Sequence, residues 1–170
     1  ILVRTYAWMV ILGREGVINS FLLWLGIVDK PLRMLNTEGA VVMGMIHVLM
    51  PFFVFPVLAV MGRIDRNLLQ AAAGLGAPGW RAFTKVYFPL TLPGVMSGCI
   101  LVFILSMGFF ITPALLGGGK VTMIAVLIEK MIREFLNWEL AAALSAVLLV
   151  TVLLIYGLFK KLFRGDMQWN

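Results

Sequence analysis

The sequence has little charge, one cysteine and one histidine. Of its 170 residues, 13% are charged and 62% are apolar, and the mean hydropathy is +1.02. A soluble domain carries about 25% charged residues, so this composition excludes an ordinary soluble protein. Because Cys99 is alone, a disulfide framework and a cysteine-rich metal site are also excluded. We therefore predict a membrane protein without a metal site.

The net charge of +6 does not gather into a patch. Lys and Arg residues stand singly between apolar runs, whereas surfaces that bind nucleic acid collect them on one face. We therefore expect anionic membrane lipid to supply the counter-charge, and we expect no nucleic acid among the partners.

Three uncharged runs are long enough to cross a bilayer. A hydrocarbon core about 30 Å thick needs roughly 20 apolar residues in a helix. Runs of that length without Asp, Glu, Lys or Arg occur at residues 40–61, 94–116 and 140–159. Residues 1–12 are shorter and include Arg4, so we interpret them as the end of a span rather than an interfacial piece. Because the chain opens with Ile1 rather than Met, we expect a fragment.

Two further segments have the spacing of amphipathic helices. In residues 16–28 one face is apolar and Asn19 and Ser20 lie elsewhere, while residues 122–138 mix apolar and charged positions. We predict that both lie along the membrane surface, opposite the side shared by residues 63–92 and the C-terminal tail. Lys and Arg number seven on each side, so they do not identify the cytoplasmic one.

Residues 63–93 are polar enough to leave the membrane but carry the signals of folded structure. Asp65 can cap a helix over residues 66–75 by accepting a hydrogen bond from a backbone amide. Gly76 can supply the left-handed conformation that ends this helix. We therefore predict a short helix followed by a tight turn.

A second helix is predicted to start after Pro78, which suits a helix N-terminus. Its apolar side would hold Trp80, Phe83 and Tyr87, and another side would hold Arg81 and Lys85. On the first helix, the small side chains of Ala71 and Ala72 would let a partner approach closely. The pattern fits a docking helix and also fits an ordinary amphipathic loop helix.

The spacing of this segment resembles the cytoplasmic signature of bacterial ABC importer permeases. In that signature Glu-Ala-Ala is followed by three residues, Gly, nine residues, an aliphatic residue, one residue, and an apolar residue before Pro. The matching positions are Gln70, Ala71, Ala72, Gly76, Val86, Phe88 and Pro89. Gln70 stands where Glu is usual and Phe88 where Leu is common, and both changes are mild. Residues 4–8 and 112–118 resemble the spermidine/putrescine-type permeases in particular.

The resemblance implies an all-α, polytopic bundle of six transmembrane helices in the bacterial inner membrane, of which this chain would hold about the last four. Residues 1–170 would form a single permease domain, with residues 63–93 as a cytoplasmic loop coupled to ABC ATPase subunits. ATP and Mg would belong to those subunits, so this chain would hold no cofactor and would not be an enzyme. A second permease subunit and a solute-binding protein are the other implied partners. The implied ATPase-coupling residues are Gln70, Ala71, Ala72, Gly76, Val86 and Pro89.

The run Gly117-Gly118-Gly119-Lys120 invites comparison with a phosphate-binding loop. The full motif needs Gly at Ala114 and Ser or Thr at Val121, so it fails. We expect the three glycines to bend the chain after a span, and we place nucleotide binding on another chain.

A solute path is expected to include an ionisable or aromatic side chain within the spans. His47 is a candidate because it lies in an otherwise apolar run, although a neutral histidine bonded to a neighbouring helix is the favoured interpretation. Aromatic rings can also contact a cationic solute through their faces. The candidate path residues are Tyr6, Trp8, His47, Phe109 and Phe110. Gly94 and Gly98, four residues apart, predict close packing of two helices instead.

The solute stays open at this point. The resemblance favours a polyamine, but a polyamine path should present carboxylates and the three uncharged runs contain none. An amino-acid-derived or opine-like solute is equally compatible. A different transporter or channel would not need the signature in residues 63–93, and a membrane enzyme should show clustered His, Asp or Glu within its spans.

Overall fold

A computed structural model describes residues 1–163, which are helical apart from short connections. The all-α prediction is confirmed, because no strand forms among these residues. A π-helical segment, Phe83–Tyr87, joins α5 to α6. The α-helices are α1 (Leu2–Leu12), α2 (Val17–Trp24), α3 (Glu38–Met61), α4 (Arg66–Gly74), α5 (Gly79–Ala82), α6 (Phe88–Met107), α7 (Ile111–Gly117), α8 (Ile124–Arg133) and α9 (Trp138–Phe163). The tail from Arg164 on lies outside the described residues.

Among residues 1–163, three stretches are long and apolar enough to cross a membrane: Glu38–Met61, Gly79–Met107 and Trp138–Lys161. The 24 residues of α3 extend about 36 Å at roughly 1.5 Å per residue, which exceeds the hydrocarbon thickness of about 30 Å. The first and third stretches confirm the spans predicted at residues 40–61 and 140–159.

The span predicted at residues 94–116 is wrong at both ends. Its helix begins at Gly79 and stops at Met107, and α7 is a separate helix. Pro113 is compatible with the break, because in a helix continued from α6 its ring would press against the carbonyl of Phe109 and it would offer no amide donor. It does not require the break, since Pro51, Pro56 and Pro93 lie inside continuous helices. As the third residue of α7, Pro113 occupies a position that needs no intrahelical donor.

Residues 122–138 do not form the single amphipathic helix that was predicted. α8 ends at Arg133, and Leu136 has a φ of +51°, which cannot continue a right-handed helix. The Asn137 side chain then accepts a hydrogen bond from the amide of Leu140 at 3.0 Å. This bond caps α9, so Trp138 belongs to the third span and not to α8.

The predicted helix at residues 16–28 is confirmed as the shorter α2, and Asn19 lies off its apolar face as expected. Asn19 is fully buried. Its amide nitrogen donates to the carbonyls of Gly13 (2.9 Å) and Leu32 (3.0 Å), and its oxygen accepts from the amide of Leu32 (2.8 Å). The side chain therefore fastens the chain before α2 to the chain after it.

Contacts divide the chain into two compact units, and the first comprises Ile1–Leu49 and Leu105–Leu154. Its buried core consists of Leu12, Ala40, Val41 and Leu116.

Hydroxyl and small side chains hold the helices of this first unit together. The buried hydroxyls of Thr5 on α1 and Thr112 on α7 lie 3.2 Å apart. On α3, a Cβ atom added to Gly44 would lie 2.8 Å from Cγ2 of Thr112 and closer still to Leu116. The approach of α3 to α7 therefore requires glycine at this position.

The second unit comprises Met50–Ile104 and the chain from Ile155 on. Here Gly98 packs against α3, since an added Cβ would lie 2.8 Å from the carbonyl oxygen of Phe53. An added Cβ at Gly94 would lie 3.0 Å from the carbonyl oxygen of Pro56. The close packing predicted for this glycine pair is confirmed.

We predict that Gly44→Ala destabilises the protein by about 1–3 kcal/mol, because the added methyl group overpacks the contact with α7. Gly157→Ala is the matched control, since no atom lies within 4 Å of its added Cβ. That control should change the free energy of unfolding by less than about 1 kcal/mol or increase it. Thermal unfolding of both variants in detergent measures the difference, and equal midpoints would contradict the packing assigned to Gly44.

Candidate functional site

The first half of the loop at residues 63–93 folds as its sequence signals predict. Asp65 is the N-cap of α4, and its Oδ1 atom accepts a hydrogen bond from the amide of Asn67 at 2.9 Å. Gly76 has a φ of +79°. The amide of Gly76 donates to Ala73 at 2.9 Å and that of Ala77 to Ala72 at 3.0 Å, which is the Schellman arrangement. The helix and its tight turn are confirmed.

The second half of the loop is not a free-standing helix. Pro78 is the N-cap of α5, which was predicted, but α5 has only four residues before the π-helical segment and then α6 follow without a break. The loop therefore enters the second span as continuous helix.

The predicted separation of Arg81 from the aromatic side is wrong in part. Phe83 and Tyr87 do stack, with ring centroids 5.9 Å apart and planes at 30°. The guanidinium carbon of Arg81, however, lies 5.3 Å from the ring centre of Trp80. A cation over a ring face is attracted to it, so Arg81 folds back over its neighbour instead of pointing away.

The signature residues differ in exposure. Of the six implied coupling residues, four are exposed and two are half-buried. The exposed residues are Gln70, Ala71, Gly76 and Pro89, and the half-buried ones are Ala72 and Val86. α4 packs against α5 and against the π-helical segment. The packing leaves an open cavity of about 640 Å³ whose lining includes Leu69 and Gln70 of α4 together with Phe83 and Tyr87. Gln70 thus faces the junction between the loop and the second span.

Of the five candidate path residues, the structure brings two together. The indole Nε1 of Trp8 donates to Nδ1 of His47 at 3.1 Å, and the rings meet edge-on with centroids 6.0 Å apart. An accepting Nδ1 requires the neutral imidazole with its proton on Nε2. This geometry agrees with the interpretation of His47 as a neutral side chain bonded to a neighbouring helix.

The other candidates stand apart from this pair. Tyr6 is 60% exposed, and Phe109 and Phe110 lie half-buried in the connection between α6 and α7. Among the described residues, no ring contact joins any of the three to Trp8 or His47. Their assignment to a solute path stays a prediction.

The glycine run after α7 forms a tight turn. Gly118 and Gly119 have φ values of +53° and +76°, and a Cβ at Gly118 would overlap the side chain of Asn36. The ammonium of Lys130 donates to the carbonyl of Gly119 at 3.4 Å. Within residues 1–163 no three His, Cys, Asp or Glu side chains group as metal ligands.

Sequence reasoning missed the hydroxyl pair of Thr5 and Thr112 and the π-helical segment. The signal for the pair was weak, because a hydroxyl on a helix can also bond a carbonyl of its own helix, as Ser145 and Thr151 do. The π-helical segment has no comparable signal, since rings four residues apart also fit a regular α-helix.

Comparison with known proteins gives one family. Residues 5–165 match the profile of the family described as binding-protein-dependent transport system inner membrane component. The chain is 37% identical over 98% of its length to the spermidine/putrescine transport system permease protein PotB of Escherichia coli K12, covering 62% of that protein. It is 38% identical over 98% of its length to PotB of Haemophilus influenzae, covering 59% of that relative.

A third relative has a less specific name. The inner membrane ABC transporter permease protein YdcU of Escherichia coli K12 is 32% identical over 97% of the chain, with 56% of that protein covered. The chain therefore spans about three fifths of the length of the curated relatives that it matches.

We predict that Trp8→Phe destabilises the protein by about 0.5–1.5 kcal/mol, because it removes the hydrogen bond to His47 while keeping an aromatic ring. The same change in a His47→Phe background should cost less, and this double-mutant cycle isolates the bond. Trp24→Phe is the control, since Trp24 is 79% exposed. Additive free energies of unfolding for Trp8→Phe and His47→Phe would exclude the pairing.

Proposed function

This chain belongs to the family of binding-protein-dependent transport system inner membrane components, and we propose that it is the permease subunit of an ATP-driven importer. Its spans provide part of a translocation path, and its loop at residues 63–93 couples that path to separate ATPase subunits. The importer works by alternating access, in which rigid-body motion exposes a solute site first to one side of the membrane and then to the other.

The observation that carries the proposal is the fold of the loop. The signature positions from Gln70 to Pro89 lie on a capped helix, a Schellman turn and a second helix that runs into a span. Ala71 and Gly76 are exposed and small, so the surface of a partner can approach the backbone of α4 closely. A loop that served only as a connection would not need this arrangement.

The family match supports separate ABC ATPase subunits as partners. We propose that ATP and Mg²⁺ bind to those subunits, which is consistent with a glycine run that does not match a phosphate-binding loop. In the apolar stretch Trp138–Lys161, Ala141 is buried and most other side chains are exposed. The exposed apolar surface of this stretch fits contact with lipid or with a second permease subunit. A solute-binding protein delivers the solute from outside.

For the solute, a polyamine of the spermidine or putrescine kind is favoured. Support comes from two spermidine/putrescine transport system permease proteins that are 37% and 38% identical to almost the whole chain. The connection at Phe109 and Phe110 offers aromatic rings, which attract cations, but no carboxylate. An amino-acid-derived or opine-like solute is the alternative, since it needs fewer negative charges along the path.

We predict that the full-length protein, reconstituted in vesicles with its ATPase and its solute-binding protein, hydrolyses ATP faster when spermidine or putrescine is added. The matched control omits the binding protein and should show only basal hydrolysis. Stimulation by an opine-like solute alone would exclude the polyamine but keep the importer. If no ATPase subunit copurifies with the permease, the proposed function is wrong.

We predict that Gly76→Asp lowers stimulated ATP hydrolysis and transport at least about tenfold, because it places a negative charge at the docking turn. Gly76→Asn is the matched control: Asn has nearly the same shape, tolerates the left-handed conformation and adds no charge. Transport in the Asn variant should stay within about threefold of wild type. Equal loss in both variants would assign the effect to turn geometry rather than to docking.

A further inference from the structure

The docking loop and the second span are parts of one helix. α5, the π-helical segment and α6 run from Gly79 to Met107 without a break. Ala82, just before the π-helical segment, has φ −60° and ψ −41°, and Phe88, just after it, has φ −60° and ψ −48°. Both pairs of angles are those of right-handed helix. A displacement of α5 is therefore passed directly to α6 through helical backbone.

The loop helix α4 reaches the span through the π-helical segment. α4 packs against both α5 and this segment, and Gln70 lines the same cavity as Phe83 and Tyr87. A force applied to α4 by a docked partner thus acts on the helix at the point where its winding changes.

Aromatic rings fit the wider winding at this point. The amide of Phe88 donates to the carbonyl of Phe83, five residues earlier, instead of to residue 84. The ring of Phe83 lies 5.9 Å from that of Tyr87 and 6.4 Å from that of Phe88, between centroids. In a regular α-helix the fifth residue is rotated by about 100° beyond the fourth, so one ring would not meet both so readily.

Pro89 supplies the second reason for the wide turn. In a regular α-helix its ring would press against the carbonyl of Lys85, and its missing amide would leave that carbonyl unpaired. An extra residue in the preceding turn relieves this clash. Proline alone is insufficient, because Pro51, Pro56 and Pro93 lie within α3 and α6 without a π-helical segment. The ring cluster and the proline act together.

A π-helical turn is equivalent to one residue inserted into an α-helix, and such turns often occur at functional sites. Removing it would rotate everything before it by about 100° around the axis of α6. We propose that the π-helical segment sets the rotational register between the docking loop and span α6, and that Pro89 is a positioning residue for this register. This proposal rests on the proposed function. It identifies the π-helical segment as the point at which docking of the loop moves α6.

We predict that deletion of Thr84 combined with Pro89→Ala converts residues 79–107 into regular α-helix. In the full-length permease reconstituted with its partners, solute transported per ATP should fall at least about tenfold. The rotation is measured as the distance between two spin labels, one attached at Trp80→Cys and one at Leu58→Cys. The native cysteine is removed by Cys99→Ser. A rotation of about 100° at a helix radius of roughly 5 Å should shift the distance between labels by up to about 8 Å.

Thr84→Ala is the matched control. It removes the hydrogen bond from the Thr84 hydroxyl to the carbonyl of Trp80 at 2.9 Å but keeps the residue count. Its label distance and its transport per ATP should match those of wild type. If the deletion variant does not fold, Phe83→Leu with Pro89→Ala keeps the chain length and should still change the label distance.

The proposal is wrong if the distance between labels stays at its wild-type value in either double variant that folds, the Thr84 deletion with Pro89→Ala or Phe83→Leu with Pro89→Ala. It is also wrong if the deletion variant transports as much solute per ATP as wild type. Failure of the proposed function gives a different result, because the wild-type protein would then show no coupling to an ATPase. The label distances are measured on the permease alone, so they decide the register in that case as well.

Discussion

The structure depends on one constraint, that each backbone amide and carbonyl inside a bilayer must find its partner within the protein. Helix meets this demand along the three spans. Pro113 lies in the first turn of α7, Pro78 is an N-cap, and Pro89 follows the wide π-helical turn. Pro51, Pro56 and Pro93 instead lie inside α3 and α6, so a helix in this protein also continues through proline.

The lipid bilayer also determines which interactions hold the helices together. Lipid tails are as apolar as leucine, so contact between spans is gained through close approach and hydrogen bonds rather than through removal of apolar surface from water. Gly44, Gly94 and Gly98 provide the approach. The pairs Thr5–Thr112 and Trp8–His47 provide the bonds. The helix α4 outside the spans is held differently, by an N-cap and a Schellman turn.

Local signals predicted the parts of the chain that local chemistry decides. Uncharged runs located α3 and α9, and the loop helix with its turn followed from Asp65 and Gly76. Contacts between distant residues could not be read in this way: Trp8 and His47 are 39 positions apart. The partners of Asn19 are backbone atoms, which leave no mark on the sequence. The end of α6 was missed because hydropathy does not register where a helix stops when the next residues are equally apolar.

The turn at Gly76 has a consequence for how such a loop can change over evolutionary time. Gly76 is constrained by its own backbone angles. A mutation in another protein cannot compensate for its replacement, because such a mutation does not alter the steric cost of a left-handed residue. An exposed position such as Gln70 carries no such backbone constraint. Charge at exposed positions of the loop can therefore change, while the turn keeps Gly or a residue, such as Asn, that tolerates the left-handed conformation.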